Sequence, residues 1–163
     1  MGSMPGARLA LAATVVFVAG VAGCGGGAGA RLSRAEYTKR ANAECKTLAR
    51  TSNDLQKAQE AGATGSKVSD YLIHAAAGLR DLADGLHGLR PPAAIEHDAE
   101  TLGAALADYG AGLRSLADKV GPDDTFQTAL AANQKLVRQL NNIADAATGL
   151  VAKVGIAGCQ LAA

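Results

Sequence analysis

Tryptophan is missing from this chain, and only 2 phenylalanines and 3 tyrosines occur among its 163 residues. Neither sign of charge dominates either, because 16 Lys and Arg stand against 15 Asp and Glu. A nearly neutral chain so poor in aromatic rings lacks the basic surface and the stacking platforms by which proteins hold nucleic acid, so that partner is excluded. The motifs of several chemistries are absent as well. There is no Gly-x-x-x-x-Gly-Lys phosphate loop and no Gly-x-Ser-x-Gly elbow, and the three histidines His74, His87 and His97 flank no serine or cysteine nucleophile. No segment alternates with the period of a strand. The sequence therefore points away from an enzyme, and it calls for no cofactor.

Long apolar runs are scarce too. The one near the start, Leu9 to Val21, follows the single basic residue Arg8 and ends in Val21-Ala22-Gly23-Cys24. A bilayer-spanning helix needs roughly 20 apolar residues, more than this run supplies. A short apolar core followed by small residues and a cysteine reads instead as a lipoprotein signal peptide, residues 1–23. Val21, Ala22 and Gly23 form the lipobox, and Cys24 supplies the thiol for lipid such as diacylglycerol or palmitate. Residues 24–31 then make a Gly/Ala tether, flexible because nothing in it stiffens the backbone. The expected location is the extracytoplasmic face of the cell membrane, with the membrane itself as a partner through the lipid.

Three cysteines become an even number once Cys24 is lipidated. Cys45 and Cys159 are then free to form one disulfide in an oxidising exterior, or to remain two reactive thiols.

Residues 32–163 show helical periodicity throughout, and four helices are expected. The first opens at Ser33 with Glu36 in a capping box and Leu32 with Tyr37 as a hydrophobic staple. Its seam runs Tyr37, Ala41, Cys45, Leu48, Ser52, Leu55. Ser66 or Ser69 caps the second, whose seam is Val68, Leu72, Ala75, Leu79, Leu82, Leu86, Leu89, and Pro91-Pro92 ends it. The third starts at that proline pair and carries Ile95, Ala99, Leu102, Leu106, Tyr109, Leu113, Leu116, Val120 inward. The fourth opens with Asp124 and Gln127 as a second capping box and runs through Phe126, Leu130, Asn133, Val137, Leu140, Ala144, Ala147 and Val151. Four helices of about 25 residues, each ~38 Å long, joined by short turns, predict an all-α fold: an antiparallel up-down four-helix bundle. In that order the end of the last helix lies beside the start of the first, which brings Cys159 within reach of Cys45.

Three weaker patterns remain. Gly78 with Gly85, and Gly103 with Gly110, each lie a heptad apart and flank the seams of helices two and three. They mark either close helix approach or a groove between the two helices, or else compositional bias toward Gly and Ala. Asp84 with His87 and Asp70 with His74 echo the Glu-x-x-His pairs of metal-binding bundles, but their neighbours are leucines and no second pair exists, so no metal site is assigned. Near the anchor, Arg31, Arg34, Lys39, Arg40, Lys46 and Arg50 outnumber Glu36 and Glu44. Such residues attract an anionic leaflet, or they form an ordinary solvated face of i, i+4 pairs.

The segments LSRAEYTKRANAEC (Leu32 to Cys45), LHGLRPPA (Leu86 to Ala93) and VGIAGC (Val154 to Cys159) together resemble small helical lipoproteins and secreted proteins of high-GC Gram-positive bacteria. The resemblance covers most of the chain after the tether. It implies a Cys45–Cys159 pairing and a cell-envelope location, and it implies no reaction. The functional expectation is a non-enzymatic binding module whose partner is another envelope protein or polymer. The alternative is a carrier of a small apolar ligand in an interhelical groove.

Overall fold

The computed structural model describes residues 30–60 and 62–159. The expected signal peptide, the expected lipobox residues Val21, Ala22 and Gly23, the expected lipidation site Cys24 and most of the expected tether lie outside the described residues. The described chain is all-α. Its helices are α1 (Arg34–Glu60), α2 (Ser66–Gly88), α3 (Glu96–Ala117), α4 (Phe126–Ala132) and α5 (Gln134–Val154), with a single 3-10 turn at Ala93–Ile95 before α3. Among the described residues the only β pairing is an isolated bridge between Thr64 and Thr125.

The entry to α1 forms as its sequence dictates. Ser33 Oγ accepts from the Glu36 amide at 3.3 Å, while Tyr37 is wholly buried and Leu32 packs against the core. The Glu36 carboxylate turns outward to Arg40, 2.9 Å away, rather than back to the cap. Ala41 and Cys45 continue the buried stripe. The side chains of Leu48, Ser52 and Leu55 lie outside the described residues.

Two expected caps are replaced by neighbours. Neither Ser66 nor Ser69 caps α2; Gly65 holds that position at φ 55°, ψ −126°. Its amide donates to the Asp124 carbonyl at 2.8 Å, and a Cβ there would collide with the Pro122 carbonyl. Only glycine combines the positive φ with that approach. The Ser69 hydroxyl is used elsewhere, donating to the Ala117 carbonyl at 3.2 Å. Likewise Asp124 does not cap the last helix. Its carboxylate accepts from the Gly121 amide at 2.7 Å and closes the turn, which leaves Thr125 Oγ1 to accept from the Thr128 amide at 3.2 Å.

The expected fourth helix is interrupted at Asn133. There the backbone leaves helical geometry (φ −115°, ψ 35°), and the side-chain amide donates to the Ala129 carbonyl at 2.9 Å. An asparagine inside a helix offers the backbone a competing partner, and here that competition separates α4 from α5.

Packing runs in the order α1 on α2, α2 on α3 and α3 on α5, with α2–α3 the most extensive pair. The core is leucine-rich: Leu72, Leu79, Leu102, Leu106 and Leu116 are all within 2% of full burial. Each such side chain stabilises the fold by about 1.5–3 kcal/mol relative to exposure. Tyr109 and Val120, expected in the α3 seam, are half-buried at its margin. Gly155 in the left-handed region (φ 83°) ends α5, and the Ile156 amide reaches back to the Val151 carbonyl at 3.1 Å. The reversed tail buries Ile156 and Cys159. A disulfide joins Cys159 to Cys45 across 114 residues, with Cα atoms 5.0 Å apart.

Candidate functional site

A concavity of about 900 Å³ lies between the C-terminal half of α2 and the N-terminal half of α3. Its existence follows from side-chain size. Ala83, Ala99 and Gly103 line it and project little, so the two helices leave a trough. Ala104 and Ala107 extend the trough along α3, and the proline junction closes its other end.

That closed end is built by the residues leading into α1. The Leu32 amide donates to the Arg90 carbonyl at 3.1 Å. Arg31 Nη1 donates to the Pro91 carbonyl at 3.3 Å and pairs with Glu96 Oε1 at 2.7 Å. The hydrogen bond that Arg31 donates to Glu96 raises its pKa above the ordinary value, against an opposing effect of burial and with the charges of Glu96 and Glu100 adding to the rise. Arg90 holds a left-handed backbone (φ 48°) immediately before Pro91, a conformation that carries strain in any residue with a Cβ. Asp84, His87 and Glu100 complete the rim. The trough is thus small and apolar along its floor and charged with both signs around its mouth.

Gly85 does not face Gly103 or Gly110 across this trough. A Cβ on Gly85 would meet the Glu44 carboxylate of α1 at 3.0 Å, whereas one on Gly110 would meet the Ala76 carbonyl of α2 at 3.0 Å and one on Gly103 the Ala83 carbonyl at 3.9 Å. Gly85 therefore serves the α1–α2 contact, and Gly103 and Gly110 serve α2–α3. Close approach is the reading realised by Gly110, whereas Gly103 makes only an ordinary contact and lines the cleft.

The remaining polar candidates are dispersed. His74 Nδ1 lies 3.3 Å from the Asp70 backbone carbonyl rather than its carboxylate, and His97 is exposed, its carbonyl accepting from Thr101 Oγ1 at 2.7 Å. Among the described residues no group of three or more His, Cys, Asp or Glu is placed to hold a metal ion. The Tyr37 hydroxyl is buried and has no hydrogen-bond partner among the described residues. Burial raises the pKa of Tyr37 and of Tyr109.

Sequence reasoning did not single out Arg90, Glu96 or Glu100 as cleft residues, although their position beside Pro91-Pro92 was visible. It also overlooked Asn42, whose Oδ1 accepts from the Gly158 amide at 2.8 Å and holds the tail against α1. No family model, curated protein or solved structure matches the chain. No helix among the described residues is long and apolar enough to cross a membrane.

Proposed function

We propose that this chain is a membrane-anchored extracytoplasmic lipoprotein whose helical part binds another envelope component without catalysing a reaction. We read that part as an antiparallel up-down four-helix bundle in which α4 and α5 together form the last rod. Short connections at 62–65, 89–95 and 118–125 support that topology, as does the packing order.

The observation that carries the reading is the disulfide. Cys45 and Cys159 are 0% and 4% exposed and bonded to each other, so the bridge is structural. Bridges of that kind belong to oxidising compartments. Of the 3 cysteines this leaves Cys24 outside the pair, directly after Val21-Ala22-Gly23. The test is fractionation of a bacterial host expressing the full chain and fed an alkyne-bearing fatty acid. The expected result is a labelled protein in the membrane fraction, with label and membrane retention both lost in Cys24→Ala. An unlabelled protein with unchanged partition would overturn the anchor.

The trough between α2 and α3 favours a second reading, a carrier of a small ligand whose apolar body rests on Ala83, Ala99 and Gly103. Native mass spectrometry of protein purified without organic solvent should then show a bound species. A ligand-free spectrum at full occupancy of the folded state would end that reading.

A further inference from the structure

Charge on the helices is segregated by helix pair. Among the described side chains, α1 and α5 carry seven basic and three acidic residues, whereas α2 and α3 carry three basic and seven acidic ones. The chain as a whole is close to neutral, at +1, so the asymmetry is a matter of placement. The two members of each pair are also physically joined. α2 packs on α3, and α1 is bonded by the disulfide to the tail that follows α5 and meets the end of α5 through Arg34 Nη2, which donates to the Lys153 carbonyl at 3.2 Å. Every described basic side chain of the α1/α5 pair is exposed. Lys39 and Lys46 lie one heptad apart on the side of α1 opposite Tyr37 and Cys45. Lys135, Arg138 and Lys153 stand on the side of α5 opposite Leu140, Ala147 and Val154.

We infer that the α1/α5 face is the surface this protein lays against an anionic lipid leaflet, with the acidic α2/α3 face and its trough turned away. The inference rests on the anchored reading above and adds the orientation. Two observations select a leaflet as the occupant. The charge is complementary to acidic headgroups, each basic group near such a surface contributing about a fivefold gain in association. The chain between Cys24 and α1 is also short, about seven residues to Arg31 at roughly 3.3–3.6 Å each, so the anchored bundle stays within about 25 Å of the lipid. That leash leads into α1, so the basic side of α1 lies within its reach, while Arg31 itself is tied to Pro91 and Glu96 at the end of the trough.

The native lysines test this directly. The full lipidated protein is reconstituted into vesicles of phosphatidylcholine alone, or of about one part phosphatidylglycerol to three of phosphatidylcholine, and treated with a water-soluble acetylating reagent before mass spectrometry. In anionic vesicles Lys39, Lys46, Lys135 and Lys153 should react about fivefold or more slowly than in neutral ones, while Lys67 and Lys119 react equally in both. The protection should vanish in about 0.5 M salt, where screening shortens the reach of surface charge. Lys39→Glu with Lys46→Glu should abolish it, and Arg80→Glu on α2 should leave it intact. Equal reactivity of the two lysine sets in anionic vesicles would overturn the orientation. So would stronger protection of the same lysines by soluble polyphosphate than by vesicles, an outcome that assigns the face to an anionic polymer. Failure of the protein to float with neutral vesicles would instead contradict the lipid anchor.

Discussion

The two helix pairs are held together in different ways. Between α2 and α3 the contact is steric, since Gly110 lets the Ala76 backbone approach to a distance that any side chain would obstruct. Between α1 and α5 the union is made by the tail: a disulfide, the Asn42–Gly158 hydrogen bond and the Arg34–Lys153 contact, each closing more than a hundred residues of chain. The first kind of union gains dispersion energy in the native state. The second acts largely by restricting the unfolded chain. The bundle therefore has one seam specified by side-chain volume and one specified by connectivity.

Breaking the covalent seam should have the larger effect. In the chain-entropy account, a loop of 114 residues closed by a disulfide contributes about 4–5 kcal/mol, so Cys45→Ala with Cys159→Ala should lower the unfolding free energy by roughly that amount in denaturant titration. A loss below about 1 kcal/mol would mean that the unfolded chain keeps α1 and the tail together without the bond.

The steric seam makes a finer distinction between two glycines. Gly110→Val must displace backbone at Ala76 and should destabilise by about 1–3 kcal/mol. Gly103→Ala meets only an ordinary contact at 3.9 Å and should stabilise by about 0.5–1 kcal/mol through helix propensity. Thermal melts of the two variants should therefore shift in opposite directions. Shifts of the same sign would refute close approach as the reason for Gly110.

The smallest expected change is at Tyr37, buried on the first turns of α1 with its hydroxyl unpartnered. Burial raises its pKa, so its contribution is fully present below the unfolded phenol's value near 10 and is lost as pH rises through the folded value, since the unfolded chain ionises first. Tyr37→Phe should leave stability at neutral pH unchanged or higher by up to ~1 kcal/mol, and should make the alkaline decline shallower. Tyr109, also raised, contributes to the slope that remains.

How much of this was readable in the sequence differs along the same division. The leucine seams of α2 and α3 were legible because burial imposes a period that local sequence carries, and Leu72, Leu79, Leu102 and Leu106 all stand where that period puts them. The start of α1 was legible because Ser33, Glu36, Leu32 and Tyr37 act within one turn. Other features depend on residues far apart in the chain. Gly65 displaces the serine caps because Asp124 and Pro122 approach it, and Asp124 is drawn from its helix by Gly121. Asp124, the cap expected from the sequence, is taken up by the turn at Gly121, which leaves that role to Thr125. The glycine pairs were visible as heptads, but the helix that each one faces is set by packing. The trough itself arises from small residues beside a proline junction, a pattern that also fits an ordinary tight helix pair.

The central claim is that one cysteine carries lipid while the other two form a structural bridge. Mass mapping of the membrane-fraction protein, digested without reduction, tests both halves at once. The account predicts an N-terminal peptide starting at Cys24 with acyl mass, together with a Cys45–Cys159 crosslinked pair. Recovery of unmodified Cys24 with free thiols at Cys45 and Cys159 would contradict it.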